Sequence, residues 1–192
     1  MATPSFPVTG DAAKDALLVS DPFALVLGMM LDQQVTMEKA FAGPYDLRER
    51  LGGRLDPSVL HESDPDTVEA AFRVKPALHR YPAAMAKRAI ALADTIVEDY
   101  DGDTASIWTA AADGRDLFDR LRALPGFGEA KARIFVAVLA KRFGIRPDGW
   151  SEAAGVFADE TPRSVADVDS AESLERVRRW KKEQKAKARI DS

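Results

Sequence analysis

The sequence predicts an all-α protein, and three observations carry that expectation. Alanine is abundant and asparagine is absent, so the Asn-Gly hairpin signal never occurs. No run of alternating β-branched residues is bounded by turn residues on both sides. Instead, helical segments with start and stop signals follow one another along the chain.

The elements read in order as follows. Asp11 to Val19 is a short first helix. Asp21-Pro22 is a cap followed by proline at the first helical position, opening a helix over Phe23–Gln34. Thr36 begins another that reaches about Phe41; Gly43-Pro44 interrupts it, Tyr45–Leu51 resumes and Gly52-Gly53 stops it. Asp56-Pro57 and Asp64-Pro65 head short helices at Ser58–Glu62 and Asp66–Phe72. The longest clean helix runs from Ala83 to about Tyr100, with Met85, Ala89, Leu92, Ala93 and Ile96 on one face. Thr104–Ala111 and Arg115–Leu124 follow, separated by Asp113-Gly114. A tight turn, Pro125-Gly126-Phe127-Gly128, leads into Glu129–Phe143, which Gly144 ends. Residues 145–163 read as loop with one short helix near Ser151–Phe157. Ser170 caps a last helix from Ala171 onward.

Composition narrows the function classes. Apolar residues make up 46% and charged residues 30%, the balance of a globular rather than a disordered chain. With 192 residues there is room for one domain or two small lobes around a real core. The absence of cysteine excludes disulfides, zinc–thiolate sites and iron–sulfur clusters. Two histidines are too few for a His-rich metal site. No apolar run reaches the ~18 residues of a membrane span, and Met1–Gly10 has no basic, apolar leader pattern, so the cytoplasm is the expected location. The net charge of −4 is unevenly spread: residues 176–192 carry eight basic and two acidic side chains, leaving the remainder at −10. A basic tail of this kind is either a polyanion-binding arm or a solvated helix end.

One stretch carries specific chemistry: Leu121-Arg122-Ala123-Leu124-Pro125-Gly126-Phe127-Gly128-Glu129-Ala130-Lys131. It reads as helix, a turn with an apolar residue between two glycines, then helix. The glycines allow a sharp turn and close approach of a ligand to the backbone. The following helix presents unpaired N–H groups and a positive dipole end. Such a turn can hold a DNA phosphate through main-chain amides without reading sequence. Its carbonyl oxygens can also hold a monovalent cation. The alternative is an ordinary helical corner that uses glycine for close packing.

This turn resembles the helix-hairpin-helix of DNA-repair proteins. Leu27-Gly28-Met29-Met30-Leu31-Asp32-Gln33-Gln34-Val35-Thr36 is similar to the Leu-x-x-Gln-Gln-Val/Thr segment of the helix-hairpin-helix–Gly/Pro-Asp superfamily of base-excision DNA glycosylases. Ala86-Lys87-Arg88-Ala89-Ile90-Ala91-Leu92-Ala93 resembles a further helix of that family, in the expected order. The resemblance spans roughly residues 21–150. It implies a two-lobed helix-hairpin-helix fold, with one lobe about 36–124 and the other formed by 1–35 and 125–192. It implies contacts to double-stranded DNA from Leu124, Pro125, Gly126, Phe127, Gly128, Ala130, Lys131, Gln33 and Gln34. Gln33 or Gln34 would fill the gap left by an extruded base, and Trp108, Trp150, Tyr45 and Tyr81 are aromatic candidates for a stacking wall.

The family places an aspartate beyond the second hairpin helix, and Asp148 lies 18 residues after Ala130, at the family's spacing. The resemblance therefore implies Asp148 as the catalytic carboxylate, stabilising an oxocarbenium-like sugar and orienting water. Asp32 and Asp159 are next in line. Members that cleave the strand carry a lysine where Ala130 stands; Lys131 is the next residue, about 100° round the helix. A monofunctional glycosylase acting as a monomer, without cofactor or metal, is the expectation. The alternative is a non-catalytic helix-hairpin-helix DNA-binding or scaffolding protein. Gly149-Trp150 after Asp148 departs from the family pattern, and Pro147-Asp148-Gly149 also reads as a plain type I turn.

Overall fold

The computed structural model describes residues 4–190. Residues 1–3 at the start of the expected second lobe, and Asp191 and Ser192 at the end of the basic tail, lie outside them. Among the described residues the regular structure is entirely helical. Eleven α-helices follow in order: α1 Ala12–Ser20, α2 Pro22–Leu31, α3 Met37–Arg50, α4 Pro57–Glu62, α5 Pro65–Arg73, α6 Pro82–Tyr100, α7 Ser106–Thr109, α8 Gly114–Arg122, α9 Glu129–Arg142, α10 Trp150–Ala154 and α11 Ala171–Ile190. Short 3-10 turns occupy Gly155–Ala158 and Val165–Asp167.

Most helix starts follow from local chemistry. Asp11, Asp21, Asp56, Asp64 and Asp113 each accept main-chain N–H bonds from the first turn they head, and proline occupies the first position of α2, α4 and α5. Ser170 caps α11 through the Ser173 N–H at 3.2 Å. Phe23 to Leu31 is buried on every face, so α2 is a central core helix rather than an amphipathic one. It packs on α1, α3 and α6. α6 also lies against α4 and α5, while α9 packs on α8, α10 and the 3-10 turns. The buried side chains form one contiguous cluster, with Phe41, Phe72 and Phe135 among the largest.

Three local expectations are corrected. Gly43-Pro44 does not break α3, which runs through both residues. Proline removes one amide, but Phe41, Gly43, Pro44 and Leu47 are all buried, and that packing holds the helix together. The segment around Thr104–Ala111 forms only the four-residue α7. α2 stops at Leu31, so Gln33 and Gln34 are on a loop, with Gln34 at φ +55°. No helix among the described residues is long and apolar enough to cross a membrane.

Candidate nucleic-acid interface

α8 and α9 form the expected hairpin. The turn between them is closed by the Phe127 N–H donating to the Leu124 carbonyl at 3.0 Å. Leu124 and Phe127 are buried, and Phe127 meets Phe135 edge-on with ring centroids 6.0 Å apart. The apolar residue between the glycines thus ties the turn to the core. Gly126 has φ +85°, and a Cβ there would fall 2.7 Å from Met30 Cγ and Arg88 Cδ. This position needs glycine for conformation and for space.

Gly128 differs. Its φ is −93°, and nothing lies within 4 Å of where its Cβ would be. It is the N-cap of α9 and provides no side-chain cap. Gly128, Glu129 and Ala130 are exposed. The first amides of α9 therefore lie on an exposed turn and, among the described residues, have no side-chain cap, at the positive end of a fourteen-residue helix. An anion can sit there without any rearrangement of the chain.

The glutamine loop lies beside this turn. Lys131, on the first turn of α9, donates from Nζ to the Met30 carbonyl at 2.8 Å. The ammonium therefore caps the C-terminal end of α2 and ties it to the first turn of α9. Burial pulls its pKa down to about 8, with Asp32 acting against the shift and Arg88 adding to it. Gln33 is half-buried, its amide reaching Met85 Sδ at 3.3 Å. Gln34 is exposed and accepts a bond from the Tyr81 hydroxyl at 3.2 Å. Of the aromatic candidates, Tyr81 is the one joined to this loop. Trp108 is buried against Phe135, while Trp150 stacks under Arg146 and Tyr45 under Arg48, away from the loop.

Compared with models of protein families, curated proteins and solved structures, the chain finds no match. What the site can do therefore rests on its own geometry.

Asp32 is half-buried at the end of α2, and among the described residues its carboxylate has no hydrogen-bond or ion-pair partner. Burial pushes its pKa above the ordinary carboxylate value; Lys181 and Lys131 oppose the shift and Glu38 adds to it. These groups come from α11, α9 and α3, so four elements converge on this one carboxylate. His79, which sequence patterns did not single out, is buried beneath the loop and bonds the carbonyls of Leu31 and Gln33. A lone histidine before Tyr-Pro carries no local signal for that role.

Asp148 stands elsewhere. It is exposed, at the second position of a turn closed by the Trp150 N–H to the Pro147 carbonyl at 3.0 Å. Gly149 follows at φ +73° and ψ 14°, which makes the turn type II rather than the expected type I. The Asp148 carbonyl accepts the Gly114 N–H at 2.7 Å, at the start of α8. A Cβ on Gly114 would fall 2.6 Å from the Gly149 main chain, so this joint is tight. The Gly126–Gly128 turn is at the other end of α8, about 13 Å away at 1.5 Å per residue. Asp148 lines a separate cleft of about 290 Å³ with Asp113, Phe118, Arg133 and Glu152. The carboxylate thus lies against the two hairpin helices, in a cleft of its own away from the Gly126–Gly128 turn. Among the described residues, no group of three or more His, Asp or Glu side chains could hold a metal ion.

Proposed function

We propose that this chain binds double-stranded DNA through the α8–α9 hairpin, in the manner of a base-excision repair protein, within the two-lobed arrangement that the family resemblance implies. The observation that carries the reading is the uncapped start of α9: exposed amides behind Gly128, on a turn fixed by Gly126 and Phe127. A DNA phosphate satisfies those amides and is favoured by the helix dipole. Gln34, projecting from the neighbouring loop beside Tyr81, is placed to enter the duplex, with Gln33 as its anchor. Arg80, exposed over the Tyr81 ring that bonds Gln34, supplies positive charge beside the loop on an otherwise acidic body.

Hydrolytic release of an extruded base is the finer part of this proposal. We assign this chemistry to Asp32, the carboxylate joined to the hairpin turn through the Lys131 contact, in preference to Asp148 in its separate cleft. The position of Asp148 favours the second reading, a binding protein without catalysis.

Gly128→Asp tests the binding proposal. An aspartate at this extended N-cap accepts N–H bonds from the first turn of α9, so the fold holds or gains a few tenths of a kcal/mol. The same carboxylate occupies the phosphate position with the wrong charge. Duplex affinity should fall by roughly 10- to 100-fold, the worth of charge-assisted hydrogen bonds. Unchanged affinity with an intact fold refutes the phosphate grip.

A further inference from the structure

The basic helix α11 carries an arrangement that net charge alone does not reveal. Its inward stripe is Leu174 and Val177, both buried, followed by half-buried Lys181 and Gln184. Beyond Gln184, residues 185–189 are all exposed, so the last turns leave the protein body. Arg178, Lys182, Lys185 and Arg189 recur at i, i+4, i+7 and i+11. At 100° per residue they fall in one row about 60° wide. Arg176 and Arg179 lie on another flank, where Glu183 interrupts the basic series.

Two contacts fix which way the row faces. Arg178 forms an ion pair with Glu38, in the first turn of α3. Lys181 acts electrostatically on Asp32, at the start of the glutamine loop. Asp32 and Glu38 bracket that loop, and Lys131 joins it to the first turn of α9. The row therefore starts beside the loop that carries Gln34 and runs outward from it. Arg178 is held by Glu38 and by Glu175 on its own helix, whereas Lys182 and Lys185 are exposed in the same row, and nothing in the fold requires their charge there.

We infer that Lys182 and Lys185, on the row of α11 that Arg178 anchors to the body, are a second DNA-backbone contact, gripping the phosphates of the same duplex that the hairpin holds. This deepens the proposed duplex binding and rests on it. The partner is a polyphosphate backbone because the row offers several cations and, in its exposed part, no aromatic or apolar anchor for a protein surface. From Arg178 to Lys185 the row is about 10 Å long at 1.5 Å per residue, a reach that covers two neighbouring phosphates on one strand. The hairpin fixes one phosphate by geometry, and the row adds charge farther along the backbone.

The experiment compares two double variants of equal charge change in the full chain. Lys182 and Lys185 are exposed and in the row; Arg176 and Arg179 are exposed and off it. Affinity for a plain duplex is titrated over a range of salt concentrations. Lys182→Gln with Lys185→Gln should reduce the slope of log K against log salt by about 1.8, two phosphate contacts at about 0.9 each. Arg176→Gln with Arg179→Gln should leave the slope within about 0.5 of the unsubstituted value. Equal reductions in both pairs overturn the proposal in favour of a diffuse field from the whole tail, and an unchanged slope in the first pair overturns it outright. These positions carry no buried side chain, and an unfolding curve for each variant checks that the fold is intact. Absence of duplex binding by the unsubstituted chain instead counts against the hairpin reading itself.

Discussion

Nε2 of His79 meets the main-chain carbonyl of Gln33 at 2.9 Å, joining residues 46 apart in sequence. Nδ1 of the same ring accepts the Tyr81 N–H at 3.0 Å, so the hydrogen must reside on Nε2, which also reaches the Leu31 carbonyl at 3.2 Å. One buried imidazole thus ends α2, shapes the glutamine loop and fixes the start of the segment leading into α6. Replacing His79 with leucine leaves the Gln33 carbonyl and the Tyr81 amide without their partner, while the Leu31 carbonyl keeps the Gln33 N–H at 2.8 Å. The expected cost is about 1–3 kcal/mol, together with a loss of duplex affinity as the loop loosens. Chemical unfolding and a duplex titration on the same protein check both.

The same ring makes the loop acid-sensitive. Burial lowers the His79 pKa from its ordinary 6.5, with the Gln33 and Leu31 carbonyls acting against the shift. As pH falls below 6.5, the unfolded chain takes up a proton that the folded chain refuses. The unfolded state then binds more protons, and stability drops until the folded pKa is reached. Above 6.5 the imidazole is neutral in both states and the contribution is flat. Unfolding free energies measured on either side of pH 6.5 should therefore fall on the acid side, and His79→Gln should lessen that fall.

The hairpin glycines separate folding from binding. Gly126→Ala forces an alanine to φ +85° and drives its methyl into Met30 and Arg88, so it should destabilise the fold by about 1–2 kcal/mol from conformation alone. Gly128→Ala meets no protein atom within 4 Å and has an ordinary φ. As a poorer N-cap it should cost no more than about 0.5–1 kcal/mol, while its methyl crowds a bound phosphate. A thermal melt paired with duplex anisotropy distinguishes the two. A Gly128→Ala variant that melts early would show this residue to be structural.

Much of the helical order is legible because its signals are local. An aspartate before a proline caps and starts a helix wherever the pair occurs, and Asp21, Asp56 and Asp64 all do so. Pro44 is misread because a local rule is overridden by burial of the neighbouring residues. The end of α2 is misread because His79 sets it from far along the chain. Asp148 shows the limit for the site. Its spacing from Ala130 places it beyond α9, a helix of fourteen residues and about 21 Å, and the returning chain sets it in a cleft with Phe118 and Arg133 rather than beside the hairpin turn. Spacing counts residues and does not say at which end of a helix they arrive. Asp32, beside the resembling Gln-Gln pair, was visible only as a fallback, because convergence of α2, α3, α9 and α11 is a tertiary fact.

Lys131 gives the alkaline counterpart of the His79 effect. Its folded pKa of about 8 lies below the ordinary 10.5 because burial disfavours the ammonium. As pH rises from about 8, the folded chain releases its proton before the unfolded chain does. The unfolded state holds more protons, so stability rises with pH across that window. Tyr100 acts in the opposite sense near pH 10, since burial raises its pKa and the unfolded phenol ionises first. Lys131→Met should flatten the rise between pH 8 and 10 and lose the bond to the Met30 carbonyl. Unfolding free energies at a series of alkaline pH values provide the check.

Base release would separate the two carboxylates. The full chain is incubated with duplexes carrying uracil, hypoxanthine, an oxidised guanine or an alkylated adenine. In the catalytic reading, a water oxygen bonds to the sugar C1′ as the C1′–N bond breaks. The bonding pair departs with the base, the water proton passes to the carboxylate, and the base takes a proton from solvent. Strands then break only after alkali, and borohydride traps no adduct, since the one lysine on the first turn of α9 is engaged with Met30. Asp32→Asn should lower release by roughly 100-fold or more while duplex affinity holds, because the amide keeps the shape and loses the charge. Asp148→Asn should leave the rate unchanged, its side chain being exposed at the opposite end of α8. For a carboxylate that takes the water proton, the rate falls as pH drops through the Asp32 pKa. Burial and Glu38 raise that limb above the ordinary carboxylate range, while Lys181 and Lys131 hold it down. Formate added to Asp32→Ala should restore part of the rate, an effect that a purely structural aspartate does not give. A chain that binds every duplex and releases no base would stand as a binding protein, with Asp32 serving only the packing of α11 against the loop.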